Sequence, residues 1–433
     1  MTAKNEHGGP KNPFTLLRTD PATRARRGRL TLPHGVVETP AFMPVGTVGA
    51  LKALTPRDAR DCGAQMILAN TYHLTIRPGE ELVRKLGGLH KFMGWDGPIL
   101  TDSGGYQVFS LPGKEITEEG VRFRFEVSGE RIVLTPEKSM EIQQALGPDV
   151  AMAFDECIPF PCEEPYAAAS IERTLRWAKR CLKAHVREDQ HLFGIVQGGL
   201  FPKLRERCAK AIAEMPFNGI AVGGVSVGEG HENLKTAVDL TERHLPADKV
   251  RYLMGVGLPQ DILESVERGM DIFDCVIPTR YARGGTLFTV RGKIRIEHNN
   301  YRRDAYPIDT SCDCYACANF SRAYLRHLFL EKEFLGTMLA SIHNVRFYQR
   351  MMAGARAAIE AGNFAAWKTE FLTNYGFSAD ENVNTREESG DAAPPRGADA
   401  HHAPTRDHHR RGPPPHRPHG HGGAKGVRKG RRN

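Results

Sequence analysis

Eight short apolar or β-branched runs, separated by amphipathic helical stretches, constrain this chain more than any other feature. In order they are TPAFMPVGT, QMILANTYHL, GPILTDSGG, DVAMAFDEC, HLFGIVQGG, GIAVGGVSVGE, RYLMGVGLP and MDIFDCVIPTR, beginning at Thr39 and ending at Arg280. Such alternation builds a parallel sheet from β-α units. Thr55-Pro56, Thr135-Pro136-Glu137 and Pro259-Gln260-Asp261 mark helix starts, each placing proline or a capping residue in the first turn. FRFEVSGERIVL, after the third run, alternates about a central Ser-Gly-Glu and predicts an inserted hairpin. Eight β-α units over roughly 240 residues match a (β/α)8 barrel, with a doubly wound open sheet as the alternative.

The barrel is preferred because of where the unusual residues fall. Asp102, Asp155-Glu156, Gln197-Gly198-Gly199, Gly223-Gly224, Met254-Gly255 and Asp274 all lie at the C-terminal ends of predicted strands. In a barrel those ends converge on one face, where catalytic loops lie. Taken alone, TDSGGYQ (residues 101–107) reads as a tight turn with one exposed acid. Several acidic and glycine-rich ends aimed at one pocket do not read as turns.

Asp102, Asp155 and Asp274 would share a small volume, so at least one carboxyl should have a raised pKa. Paired carboxylates suit glycosidic chemistry, one acting at the anomeric carbon and one moving protons on the leaving group. No Walker loop or GxGxxG is present; the glycine pairs in VQGG and VGGVSVGE instead let backbone approach a flat base, with Gln197 offering an amide to its edge. Tyr106 and Met254 are placed to sandwich such a ring, although Met254 is equally readable as core.

Nine cysteines in 433 residues form no disulfide framework. Three crowd into C-x-C-x2-C as Cys312, Cys314 and Cys317, and His343 follows 26 residues after the last. Three thiolates and an imidazole make a closed tetrahedral site, the form of structural zinc, and a closed site disfavours a metal hydrolase. His327 competes as fourth ligand but sits in an amphipathic run. The formal charge of +8 is unevenly spread: of 59 basic and 51 acidic residues, the stretch from Asp391 holds ten and three, leaving 49 and 48 elsewhere. A nearly neutral body binds an anionic polymer through a local patch. No apolar run reaches the roughly 18 residues of a membrane span, and no secretory h-region is evident, so a cytoplasmic protein is expected.

Together TDSGGYQVFS, FDEC, GIVQGG, VGGVSVGE, LMGVG, DCVIPTR and the cysteine cluster resemble the bacterial tRNA-guanine transglycosylases, over about Phe14 to Phe377. The resemblance implies a (β/α)8 barrel with a C-terminal zinc subdomain. It implies that Asp274 is the nucleophile at the ribose of the anticodon wobble guanosine, and that Asp102 is the general acid/base. It implies base recognition by Asp102, Ser103, Gly104, Gly105, Tyr106, Asp155, Gln197, Gly224, Val225, Glu229 and Met254. Val227 and Cys157 stand where the family sets base size, and Glu229 is placed to receive an aminomethyl ammonium. Contacts to tRNA fall to Gly255, Val256, Gly257, Leu258, Pro259, Gln260 and Asp261, and to Thr279, Arg280, Tyr281, Ala282 and Arg283. The implied substrate is 7-aminomethyl-7-deazaguanine, inserted into tRNAs for tyrosine, histidine, asparagine and aspartate, by a homodimer holding one Zn2+ per subunit.

The expected domains are a flexible arm (1–13), the barrel with its inserted hairpin (14–290), the zinc subdomain (291–379) and a disordered tail rich in His, Pro, Arg and Gly (380–433). Tyr281 and Gly285 stand where relatives often carry asparagine. Two rival readings are a barrel nucleoside hydrolase and a noncatalytic tRNA-binding subunit. The first has no use for the zinc appendage, and the second would be expected to lose Asp274.

Overall fold

A computed structural model of the chain describes residues 12–376, apart from 125–128, 130, 226, 227 and 229. Val227, Glu229, the turn of the inserted hairpin and the predicted tail therefore lie outside the described residues, and the N-terminal arm is described only from Asn12.

The eight predicted runs each contain one strand of a closed parallel barrel: β1 (Ala41–Gly46), β2 (Ile67–Ala69), β3 (Ile99–Thr101), β4 (Val150–Met152), β5 (His191–Val196), β6 (Gly219–Val222), β7 (Val250–Leu253) and β8 (Ile272–Cys275). Neighbours pair in chain order, and β8 returns to β1 with Ile272 opposite Ala41 and Cys275 opposite Pro44. The open-sheet alternative is thereby excluded. The hydrogen-bonded strands are shorter than the predicted runs, because the glycine and acidic ends leave the ladder and become the loops of the upper face.

Met43, Leu68, Met152, Phe193, Ile195 and Tyr252 fill the barrel interior. Phe14, Leu30, Leu32 and Val37 join that same core. They come from a three-stranded antiparallel sheet, Phe14–Thr19, Arg26–Leu32 and Gly35–Thr39, which runs directly into β1 and so closes the N-terminal end of the barrel. Buried Asp149, just before β4, fastens the arrangement: it accepts from the backbone N–H of His34 (2.9 Å) and of Ile99 (2.8 Å) and bonds the rings of His34 and His90.

The helix starts lie where the capping signals put them. Thr55 and Asp58 form a reciprocal capping box on Pro56–Asp61, and Thr135 caps Pro136–Leu146. The inserted hairpin is present as Val121–Arg124 and Arg131–Leu134, with a third strand, Glu115–Ile116, on its edge.

Beyond β8 come a hairpin, Thr286–Thr289 with Gly292–Arg295, and helices that include Phe334–Ala361, 28 residues long. This helix ties the appendage to the barrel by hydrogen bonds. Gln349 Nε2 donates to Phe42 O at 3.0 Å, and Asn344 Nδ2 donates to Pro278 O at 3.0 Å. The described residues fall in one compact unit, and no helix among them is long and apolar enough to cross a membrane.

Candidate active site

Asp102 follows β3 directly. Its Oδ1 accepts from the backbone N–H of Thr71 at 3.0 Å and of Gly104 at 3.1 Å, and its Oδ2 accepts from Asn70 Nδ2. Gly104 has φ +79°, the left-handed conformation that lets the chain fold its amide back onto the carboxylate. Burial at the pocket floor raises the Asp102 pKa to about 7, the negative charge of Asp274 adding to the rise while the N–H donors oppose it. At neutral pH this group both gives and takes protons.

Asp274 closes β8. Tyr252 Oη donates to its Oδ1 at 2.6 Å and the Gly255 N–H at 2.8 Å. Burial raises its pKa too, against the pull of those donors. The two carboxyls are thus held by different donor sets around one space, the arrangement that separates acid/base from nucleophilic roles.

A third carboxyl lies beside them. Asp155 Oδ2 accepts from Gln197 Nε2 at 2.6 Å, and burial, helped by neighbouring Glu156, lifts its pKa to about 6. The other amide atom, Gln197 Oε1, is buried and accepts no hydrogen bond among the described residues. Gly105 packs so closely that a Cβ there would lie 3.2 Å from Ser103 Oγ and 3.3 Å from Asp155 O. Gly224, with φ +63°, lies against the Gln197 amide. Tyr106 is 59% exposed and stands at the rim, its ring available for stacking. Met254 packs on the inner core with part of its surface free. Val225 is buried in the core. Asp102 and Asp274 are close enough to interact electrostatically, and Asp155 packs against Gly105 of the loop that follows Asp102; Glu229 lies outside the described residues.

Of the first predicted tRNA segment, Val256, Gly257, Pro259 and Gln260 are buried, while Gly255, Leu258 and Asp261 keep surface, and Asp261 bonds the ring of His231. In the second, Thr279 and Ala282 are buried. Arg280 and Arg283 are exposed, and Tyr281 stacks on Phe288 with centroids 5.7 Å apart.

The appendage gathers Cys312, Cys314, Cys317 and His343, whose ligand atoms all lie within 4.8 Å of one another. His343 Nδ1 is 3.3 Å from Cys317 Sγ and 3.7 Å from Cys314 Sγ. These are near the ~3.5–3.8 Å edges that bonds of ~2.0–2.3 Å to a tetrahedral ion imply. His343 Nε2 donates to Phe288 O at 2.6 Å, which leaves Nδ1 for a metal. His327 is exposed and takes no part in this cluster.

Residue-by-residue reading of the sequence missed the groups that hold the carboxylates. Asn70 lies in a predicted strand but N-caps the Thr71–Ile76 helix and reaches Asp102; the NTY break in that run was a usable signal. Tyr252 reads as a core residue of β7, and Arg205 as one more charge on an amphipathic helix, although it is fully buried. Nothing local marks either.

Buried carboxyls with raised pKa at the C-terminal ends of barrel strands suit an enzyme that breaks and remakes a glycosidic bond. Comparison with known proteins narrows this class. Residues 20–376 match the family described as queuine tRNA-ribosyltransferase. The chain is 56% identical to the queuine tRNA-ribosyltransferase of Desulforamulus reducens over 351 residues, covering 81% of this chain and 95% of the relative. It is 54% identical to that of Pelotomaculum thermopropionicum over 363 residues, covering 84% and 98%. The chain belongs to the queuine tRNA-ribosyltransferase family.

Proposed function

We propose that this enzyme replaces guanine in the wobble position of tRNA by a 7-deazaguanine base, within queuosine formation, through a covalent enzyme–tRNA intermediate. The supporting observation is the meeting of Asp102 and Asp274 over one pocket, with separate donor sets and shared electrostatics. The ionised Asp274 attacks the ribose anomeric carbon as the bond to guanine N9 breaks, and protonated Asp102 supplies the proton to the departing base. The incoming base then gives its N9 proton to Asp102 and attacks the same carbon, releasing Asp274. Two inversions leave the configuration retained. Asp155 and Gln197 offer an acceptor and an amide to the base edge, and Tyr106 stacks above it. The target nucleotide must leave its stack, at about a few kcal/mol, and Arg280 and Arg283 would offset that through phosphate contacts.

The base is read as 7-aminomethyl-7-deazaguanine and the tRNAs as those for tyrosine, histidine, asparagine and aspartate. In this reading residues 14–290 carry the chemistry and 291–379 a structural Zn2+, in a cytoplasmic homodimer. Exposed Phe334 and Leu330 on the appendage support self-association, and a monomeric mass in sedimentation would remove it. The reaction itself is tested by incubating enzyme with unmodified tRNA, denaturing, and assaying a protein–RNA adduct that Asp274→Asn abolishes. Absence of an adduct in the unaltered enzyme would overturn the mechanism.

A further inference from the structure

Arg205 is fully buried in the Pro202–Ala213 helix that follows β5. Its Nε donates to Gly199 O at 2.8 Å, and its Nη1 and Nη2 donate to Gly223 O at 3.3 and 3.2 Å. One guanidinium therefore bridges the glycine pair after β5 and the glycine pair after β6. The helix comes this close because Gly198 has no side chain: a Cβ there would lie 2.8 Å from Arg205 N.

The bond to Gly223 O has a directional consequence. In a trans peptide the C=O and the following N–H point to opposite sides. With the Gly223 carbonyl turned to Arg205, the Gly224 N–H faces the other way. Gly223 is buried, whereas Gly224 keeps solvent access. A cation on the carbonyl also polarises the peptide and strengthens its N–H as a donor.

We infer that Arg205 is a positioning residue that aims and polarises the Gly224 N–H at the exocyclic oxygen on the six-membered ring of the bound purine. The inference rests on the proposed base pocket and deepens it, since it names the oxo group as the feature that Arg205 makes recognisable. As guanine departs and negative charge spreads to that oxygen, a pre-aimed donor stabilises the charge without reorganisation.

The test compares binding of guanine with binding of 2-aminopurine, which lacks the oxygen and also the N1 proton, so it is the change in preference on replacing Arg205, not the preference itself, that reports on the oxygen. The unaltered enzyme should favour guanine, and Arg205→Met should reduce that preference by about five- to tenfold, chiefly by weakening guanine. Arg205→Lys, which keeps the charge and reaches one carbonyl, should fall between the two, and it preserves the test should the Met variant fail to fold. Thermal unfolding checks that the compared proteins are folded. Equal loss of both ligands, or an undiminished preference in a folded variant, would overturn the inference and leave the pocket assignment standing. Indifference of the unaltered enzyme to the two bases would overturn the pocket assignment together with the inference.

Discussion

Tyr252 and Asp274 meet across β7 and β8, the phenol donating to the carboxylate at 2.6 Å from a fully buried position. The Tyr252→Phe variant removes the donor and keeps the ring. Loss of a bond to the charged form raises the carboxyl pKa further, so less nucleophile is ionised at low pH. Adduct formation in a single turnover should slow by roughly tenfold on the acidic side, with the deficit shrinking as pH rises. A deficit independent of pH would mean that Tyr252 serves only packing.

In the proposed reaction Asp102, with its pKa near 7, is protonated to release guanine and ionised to accept the incoming base. Adduct formation should therefore decline as pH rises through about 7, while transfer from a preformed adduct to free base should rise over the same interval. Asp102→Asn should lose about 10²–10⁴-fold in transfer and flatten the profile. Separate pH–rate profiles for the two half-reactions decide this, and parallel profiles would remove Asp102 from the proton path.

Asp155 carries a penalty that depends on pH. Its pKa is raised to about 6 in the folded protein, so the fold is favoured below the ordinary carboxylate range and loses that contribution as pH rises through about 6. Asp155→Asn should accordingly raise the unfolding midpoint by a few degrees at pH 8 and by little at pH 4, while weakening base binding. Calorimetry at the two pH values provides the check. A midpoint that falls at pH 8 would contradict it.

Cys317→Ser should abolish binding of the zinc proposed for the cluster, and with it loosen the packing of His343 in the Phe334–Ala361 helix. Chelation of the unaltered enzyme should lower the unfolding midpoint, and zinc should restore it. Metal analysis alongside near-ultraviolet dichroism reads both; an unchanged midpoint after complete metal loss would separate the cluster from stability.

The barrel was legible because its information is periodic. Each apolar run ends in residues that cannot continue a strand, and both signals survive without knowing what lies opposite. The N-terminal sheet was not read, because RRGRLTL and FTLLRT mix charge with apolar residues and show their buried positions only against the barrel floor. Among site residues, Asp102, Asp155, Gln197 and Asp274 stand at strand ends and declare themselves. Asn70 is marked only by the break in its run, while Tyr252 and Arg205 act through partners 22 and 18 residues further along the chain, and local pattern carries no trace of those pairings. Burial of Val256, Pro259 and Gln260 also depends on neighbours that the linear order does not name.

Closure of the barrel by β8 against β1 bears on synthesis as well as shape. A chain still emerging from the ribosome exposes Asp102 long before Asp274 is made, and the last strand is what seats the two in one pocket. Pairing of the final strand with the first thus sets the moment at which Asp102 and Asp274 can meet, after β8 has been made and while the appendage is still to follow.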